Sequence, residues 1–256
     1  MEILKVENLT KAFGGLVAVD NCNFAIGKNL IVSIIGPNGA GKTTVFNLIS
    51  GITPATSGSI IFKDGIRLNN LKLHHITKLG IGRTFQNIRL FKELTVLENV
   101  KIGHHCRSNA GVLSSLFQVK SQVIEEMDIL ANSMKYLHFV GLERYRDHLA
   151  MNLSCGDQRR LEIARALATE PQLLMFDEPN SGMNSQETLE LIELIKKIKE
   201  FGITVLLISH HMKFVQDISD HVIVLNYGKI IAEGGPEEVI KDRKVIEAYL
   251  GKAMHS

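Results

Sequence analysis

Gly36-Pro37-Asn38-Gly39-Ala40-Gly41-Lys42-Thr43 has the spacing of a phosphate-binding loop, Gly-x-x-x-x-Gly-Lys-Thr. Small residues let successive backbone N–H groups turn toward an anion, and the helix that follows adds its positive end. Lys42 is the residue to reach the outer phosphates of a nucleotide, and the Thr43 hydroxyl is a ligand for magnesium. Downstream, Leu173-Leu174-Met175-Phe176-Asp177-Glu178 places two carboxylates after an apolar run. Behind a phosphate loop these have different work: Asp177 holds magnesium through its water shell, and Glu178 accepts the proton of the water that attacks the terminal phosphate. His210 follows the next apolar run, Val205 to Ser209, and is expected at the same sheet edge, where a neutral imidazole can bridge phosphate and water. The adjacent pairs His74-His75, His104-His105 and His210-His211 are poor metal sites, because neighbouring side chains point apart on a helix or strand.

These groups need a scaffold that brings distant segments together. Leu30 to Ile35 is a continuous apolar run, expected for a strand buried on both faces, and Lys42 to Ser50 predicts a helix closed by Gly51. Residues 2 to 7 and 22 to 26 predict outer strands, and Ser59 to Phe62 a further strand before the Asp64-Gly65 turn. Between about residues 88 and 150 the strand pattern stops. There Val123, Met127, Leu130, Met134 and Leu137 recur at steps of four and three, the stripe of an amphipathic helix in an inserted helical subdomain. The chain then alternates: helix 157–168, strand 173–176, helix 186–200, strand 203–208, helix 212–218. That alternation specifies an α/β fold with a mainly parallel sheet and helical crossovers. A hairpin, 221–225 with 229–232 around Asn226-Tyr227-Gly228, closes the pattern, with short helices after Pro236.

Composition narrows the partners. A chain of 256 residues, 45% hydrophobic, can bury one large core or one core plus an insert. A net charge of +2 without a dense basic block gives no electrostatic reason for a nucleic acid or an anionic membrane surface as partner. Cys22, Cys106 and Cys155 form no Cys-x-x-Cys pair and suggest reduced thiols in a cytoplasmic compartment. Met1 to Glu7 alternates charged and apolar residues, unlike a secretory signal, and the apolar runs are far shorter than the roughly 20 residues needed to cross a bilayer. Any membrane role is therefore expected to go through a partner.

Ser154-x-x-Asp157 before a periodic helix is a helix-start capping pattern. In company with the other motifs, Leu153-Ser154-Cys155-Gly156-Asp157-Gln158 makes the chain resemble the ATP-binding subunits of ABC transporters over nearly its whole length. The resemblance implies a P-loop NTPase fold of the ABC ATPase type, with an antiparallel β subdomain beside the parallel core. It implies a single domain over 1–256, with residues 1–87 and 155–256 as nucleotide-binding core and 88–154 as helical subdomain. By it, Gly36, Pro37, Asn38, Gly39, Ala40, Gly41, Lys42, Thr43 and Thr44 bind ATP, and Phe13 stacks on adenine. Gln86 is the Q-loop glutamine, Ser181 to Asn184 the D-loop and His210 the switch histidine. The catalytic set is then Glu178, His210, Gln86 and Lys42, and the Mg2+ set Thr43, Gln86 and Asp177. Two subunits, copies or relatives, are implied to meet head to tail, so that Ser154, Gly156 and Asp157 serve the ATP of the partner. Ser154 and the free N–H groups at the start of its helix agree with that as an anion site.

A narrower resemblance is to branched-chain amino acid importers, carried by Phe13 to Val19, Gly82 to Phe91, Arg159 to Arg165 and Val245 to Gly251. It implies transmembrane permease subunits, an indirect periplasmic or extracellular binding protein, and a peripheral place on the cytoplasmic face of the cell membrane. Related systems for urea or lipopolysaccharide share much of the pattern, and a soluble non-transport ABC ATPase is the other class. One cassette without sustained heptads favours transport. Asp157 stands where this family usually has glutamine. Facing a phosphate at about 4 Å, its charge would cost roughly 4 kcal/mol at an effective dielectric of 20. The expectation is that Asp157 turns back to cap its own helix instead.

Overall fold

The structure is a computed structural model that describes residues 1–105 and 119–250. A four-stranded antiparallel sheet holds β1 (Glu2–Phe13), β2 (Leu16–Gly27), β4 (Ser57–Phe62) and β5 (Ile66–Arg67) in the order β2-β1-β4-β5. A six-stranded sheet contains β3 (Ile31–Ile35), β6 (Ile81–Arg83), β7 (Leu173–Asp177), β8 (Thr204–Ile208), β9 (His221–Asn226) and β10 (Lys229–Gly234). Its order is β10-β9-β3-β8-β7-β6, parallel except for the final β9/β10 hairpin. The helices are α1 (Lys42–Ile49), α2 (Leu73–Leu79), α3 (Val96–His105), α4 (Val119–Phe139), α5 (Cys155–Leu167), α6 (Ser185–Glu200), α7 (Met212–Ile218), α8 (Pro236–Lys241) and α9 (Arg243–Leu250).

Every residue of β3, β7 and β8 is buried, as their unbroken apolar runs require of strands covered on both faces. Their period of two divides the interior. Val32, Ile34, Leu173, Met175, Leu206 and Ile208 join the core shared with α1 and the antiparallel sheet. Leu174, Phe176, Val205 and Leu207 join the core on the opposite face, with α3, α5 and α6.

The structure departs from the sequence expectations at several places. The first two strands are twice as long as their alternation suggests, because irregularities in the β1/β2 pairing interrupt the period of two without ending the pairing. They meet at a two-residue Gly14-Gly15 turn with Phe13 opposite Leu16, which puts Phe13 at a hairpin tip. Helix α2 buries only Ile76 and has no side-chain cap, and β6 is three residues long, so neither carries a periodic signal. The α4 stripe is buried only toward its C-terminal end: Leu137 is fully buried among Val96, Val100 and Leu161, while Met127 and Leu130 are 64% and 40% exposed. Val123 lies among residues whose side chains are not described.

The segment carrying α3 and α4 has its two ends tied together. Val96 N–H donates to His148 O, Ala150 N–H to Leu94 O and Met151 N–H to Lys92 O, each at 2.9 to 3.1 Å. No helix among the described residues is long and apolar enough to cross a membrane.

Candidate nucleotide site

The loop between β3 and α1 is built to face an anion. Gly36 and Gly41 have φ of 147° and 102°. A Cβ at Gly36 would lie 2.0 Å from Leu225 O, and one at Gly41 2.4 Å from Ala18 O, so both positions exclude any larger residue. Helix α1 has no acidic residue in its first turn and no side-chain cap, which leaves its first N–H groups and its positive end to a ligand. Lys42 is buried, with Nζ donating to Gly36 O at 2.7 Å and Pro37 O at 3.0 Å. Asn38, Gly39 and Thr43 are exposed at the lip, while Pro37 and Ala40 are buried beneath it.

A cleft of about 460 Å³ opens over this loop. Its lining combines Asn38 to Thr44 and Glu178 with Phe13, Leu16, Val17, Ala18, Tyr227 and Gly228. The Phe13 ring is held from one side by Lys11, whose ammonium lies 4.8 Å from the ring centroid and donates to Pro54 O.

The two carboxylates at the end of β7 have different surroundings. Asp177 is buried, and Arg83 Nη2 on the neighbouring strand β6 donates to its Oδ2 at 2.9 Å. Arg83 Nη1 also donates to Asn47 Oδ1 and Ser50 Oγ, which ties the carboxylate to the end of the helix that starts at the phosphate loop. Burial raises the Asp177 pKa, and the guanidinium opposes that shift. Glu178 adopts a left-handed backbone with φ of 47°, and its N–H donates to Ile208 O. Gln86 Nε2 donates to Glu178 Oε2 at 3.0 Å, and His210 Nδ1 lies 3.2 Å from Oε1. Two side chains from segments distant in sequence thus converge on one carboxylate. Thr43 and Asp177 offer hard oxygen donors of the kind magnesium takes, and an ion that keeps several waters needs no more from the protein. Among the described residues, no cluster of three or more His, Cys, Asp or Glu could hold a metal by itself.

Ser154, Gly156 and Asp157 do not line this cleft. Ser154 is the N-cap of α5: its Oγ accepts from Asp157 N–H at 3.1 Å and donates to Asp157 Oδ2 at 2.9 Å. The carboxylate turns back on its own helix start, but onto the Ser154 hydroxyl rather than the backbone N–H used in a capping box. One turn on, Arg159 Nη1 donates to Phe85 O and to Glu162 Oε2, Arg159 Nη2 donates to Gln86 O, and Glu162 Oε1 accepts from Phe85 and Arg89 N–H. The start of α5 and the Gln86 segment are therefore one hydrogen-bonded unit. Neither Arg83 nor this Arg159–Glu162 bracket was marked as a site by spacing; nor were Leu16 and Val17, which the sequence offers only within the family-like stretch Phe13 to Val19, or Tyr227, which it presents as a turn.

The chain belongs to the ABC transporter family, which matches residues 19–181. It has the ABC ATPase fold and a second match, over residues 229–255, to the branched-chain amino acid ATP-binding cassette transporter family. It is 45% identical over 252 residues to the high-affinity branched-chain amino acid transport ATP-binding protein BraF of Pseudomonas aeruginosa, covering 98% of each chain. Among solved structures, the ADP conformation of MJ1267, an ATP-binding cassette of an ABC transporter, superposes with a TM-score of 0.85 at 36% identity, covering 98% of this chain and 99% of that one. The cassette MJ0796, in a dimeric post-hydrolysis state bound to ADP and phosphate, gives a TM-score of 0.75 at 29% identity, covering 91% and 99%.

Proposed function

We propose that this ABC ATPase binds ATP in the cleft over residues 36–44, hydrolyses it in a head-to-tail pair with a second ATP-binding subunit, and energises uptake of branched-chain amino acids through a membrane permease. The observation that carries the catalytic part is the Glu178 carboxylate, placed at the edge of the phosphate cleft and held by Gln86 and His210.

In this reading Phe13 supports the adenine, while the loop amides and Lys42 bind the phosphates and offset their charge. Thr43, Gln86 and Asp177 would hold Mg2+, which when bound would neutralise charge on the transferring phosphoryl group. Arg83 takes one oxygen of Asp177 and so fixes the direction of the other. Glu178 orients the attacking water and receives its proton, and His210 keeps the carboxylate aimed. Ser154, Gly156 and Asp157, outside the cleft of their own chain, face the ATP of the partner, a pairing supported by the dimeric state of the MJ0796 cassette bound to ADP and phosphate.

The helical subdomain is assigned to residues 88–154, and the paired backbone at 92–96 and 148–151 forms its neck. A groove of about 350 Å³ lined by Leu73, Phe85, Phe91 and Ile102 beside the Gln86 segment is the proposed seat of the permease, on the cytoplasmic face of the cell membrane. The branched-chain substrate and an external binding protein rest on the 229–255 match and on relatives such as BraF. Proteoliposomes carrying this chain with its permeases and binding protein should take up leucine, isoleucine or valine only with ATP inside. Uptake of another solute, with none of these transported, would overturn the substrate assignment.

A further inference from the structure

We infer that Tyr227 is a base-recognition residue, a second aromatic wall of the nucleotide cleft. It rests on the reading of that cleft as the ATP site and extends it from the phosphates to the base.

The turn that carries Tyr227 is pinned to the site. Gly228 N–H donates to Ala40 O of the phosphate loop at 2.9 Å, and Gly228 O accepts from Asp20 N–H at 2.8 Å and from Cys22 Sγ at 3.1 Å, both on β2. Tyr227 itself is held at φ 45°, a backbone conformation that bulky residues seldom adopt and that glycine or asparagine would fill without strain. A large aromatic residue at such a position, locked one residue from a contact with the phosphate loop, has a side-chain role. Tyr227 is 79% exposed yet lines the cleft.

The neighbours define the ligand class. Phe13, Leu16 and Val17 line the same cleft and are also exposed, a cluster of apolar side chains that a turn in water would not favour. The remaining lining includes Lys42, Thr43 and Thr44. A cleft that combines aromatic and aliphatic walls with a phosphate cradle suits a planar heterocycle joined to a phosphate chain. Tyr227 adds a π face and a phenolic hydroxyl able to donate or accept at the base or sugar.

Binding of ADP, ATP and inorganic tripolyphosphate to the full chain separates the parts. Tyr227→Asn tolerates the positive φ and so removes the ring without straining the turn. We expect it to weaken ADP and ATP about five- to tenfold, from the lower range of base stacking on aromatic side chains, and to change tripolyphosphate by less than twofold. Tyr227→Phe should retain most of the affinity. The chain has no tryptophan, so Tyr227→Trp installs a single indole, whose emission should change with ADP and not with tripolyphosphate. Unchanged ADP affinity in Tyr227→Asn, an equal loss for all three ligands, or an indole blind to ADP would each overturn the inference. Wild-type protein that bound neither ADP nor tripolyphosphate would instead defeat the underlying assignment of the cleft.

Discussion

Gln86 Nε2 donates to Glu178 Oε2 across 3.0 Å, joining residues 92 positions apart. The other carboxylate oxygen faces His210 Nδ1 at 3.2 Å. As the proposed general base, a carboxylate so held has fixed lone-pair directions, but it must give one of them to water before it can act. Gln86 lies in the segment between β6 and α3, which is bonded to the start of α5 through Arg159. Displacement of that segment therefore changes both the setting of Glu178 and the surface proposed to meet a second subunit.

Glu178→Gln keeps the shape and the hydrogen bond to Gln86 while removing proton acceptance. ATP turnover should fall by at least about a hundredfold, the low end for a general base, with nucleotide affinity within about twofold of wild type. Steady-state hydrolysis alongside equilibrium binding checks this. Retention of a tenth or more of the activity would remove Glu178 from the role.

Gln86→Ala releases one oxygen of the same carboxylate without touching the phosphate loop. The expected result is a kcat lowered about three- to tenfold with KM for ATP little changed, the pattern of an interaction that matters after binding. A rise in KM with kcat intact would show that Gln86 serves the magnesium–nucleotide complex and does not act on Glu178.

Much of this site was legible because its chemistry is local in sequence. The phosphate loop announces itself through glycine spacing and the apolar strand before it, and the carboxylates through the run that ends at Asp177. Arg83 was not legible in the same way: its partners Asn47, Ser50 and Asp177 are brought to it only by the pairing of β6 with β7 and by the packing of α1. Tyr227 was hidden for the opposite reason. Asn226-Tyr227-Gly228 is so plain a turn signal that nothing in it asks for a ligand, until Gly228 is seen bonded to Ala40. The α4 stripe misled because periodicity reports amphipathicity and not what covers the face; Met127 and Leu130 remain exposed.

The Arg159–Glu162 pair should be a sensitive point of the fold. The two side chains are 5% and 2% exposed, so truncating one strands a buried charge. Arg159→Met should cost about 3–5 kcal/mol in denaturant unfolding. Burial is the largest influence on Glu162 and raises its pKa above the ordinary 4.5, with Arg159 and the Phe85 and Arg89 amides pulling it down. A raised folded pKa means that the folded chain binds more protons than the unfolded one in that window. The stability from this group is then complete below about pH 4.5 and is lost as pH rises through the folded value. Glu162→Gln should flatten the part of the stability profile that falls as pH rises above about 4.5, and an unaltered slope would assign it to other groups.

Asp157 poses a question of competition for a proton. The Ser154 hydroxyl has one hydrogen, and the structure gives it to Asp157 Oδ2. A phosphate arriving from a partner subunit must draw that hydrogen away or be met by the α5 amides alone, which keep their positive end whichever way the hydroxyl turns. With its carboxylate engaged at the helix start, Asp157 also stabilises α5 by about 0.5 kcal/mol. Asp157→Gln should therefore lower the unfolding free energy by about that amount while changing ATPase activity less than threefold. A rise of tenfold or more would show that the carboxylate restrains the site, by keeping the Ser154 hydrogen or by repelling the phosphate directly. Titrating ATPase activity against protein concentration tells those two apart. Repulsion across the interface weakens pairing and is relieved at high concentration; a sequestered hydrogen lowers turnover in pairs already formed and is not.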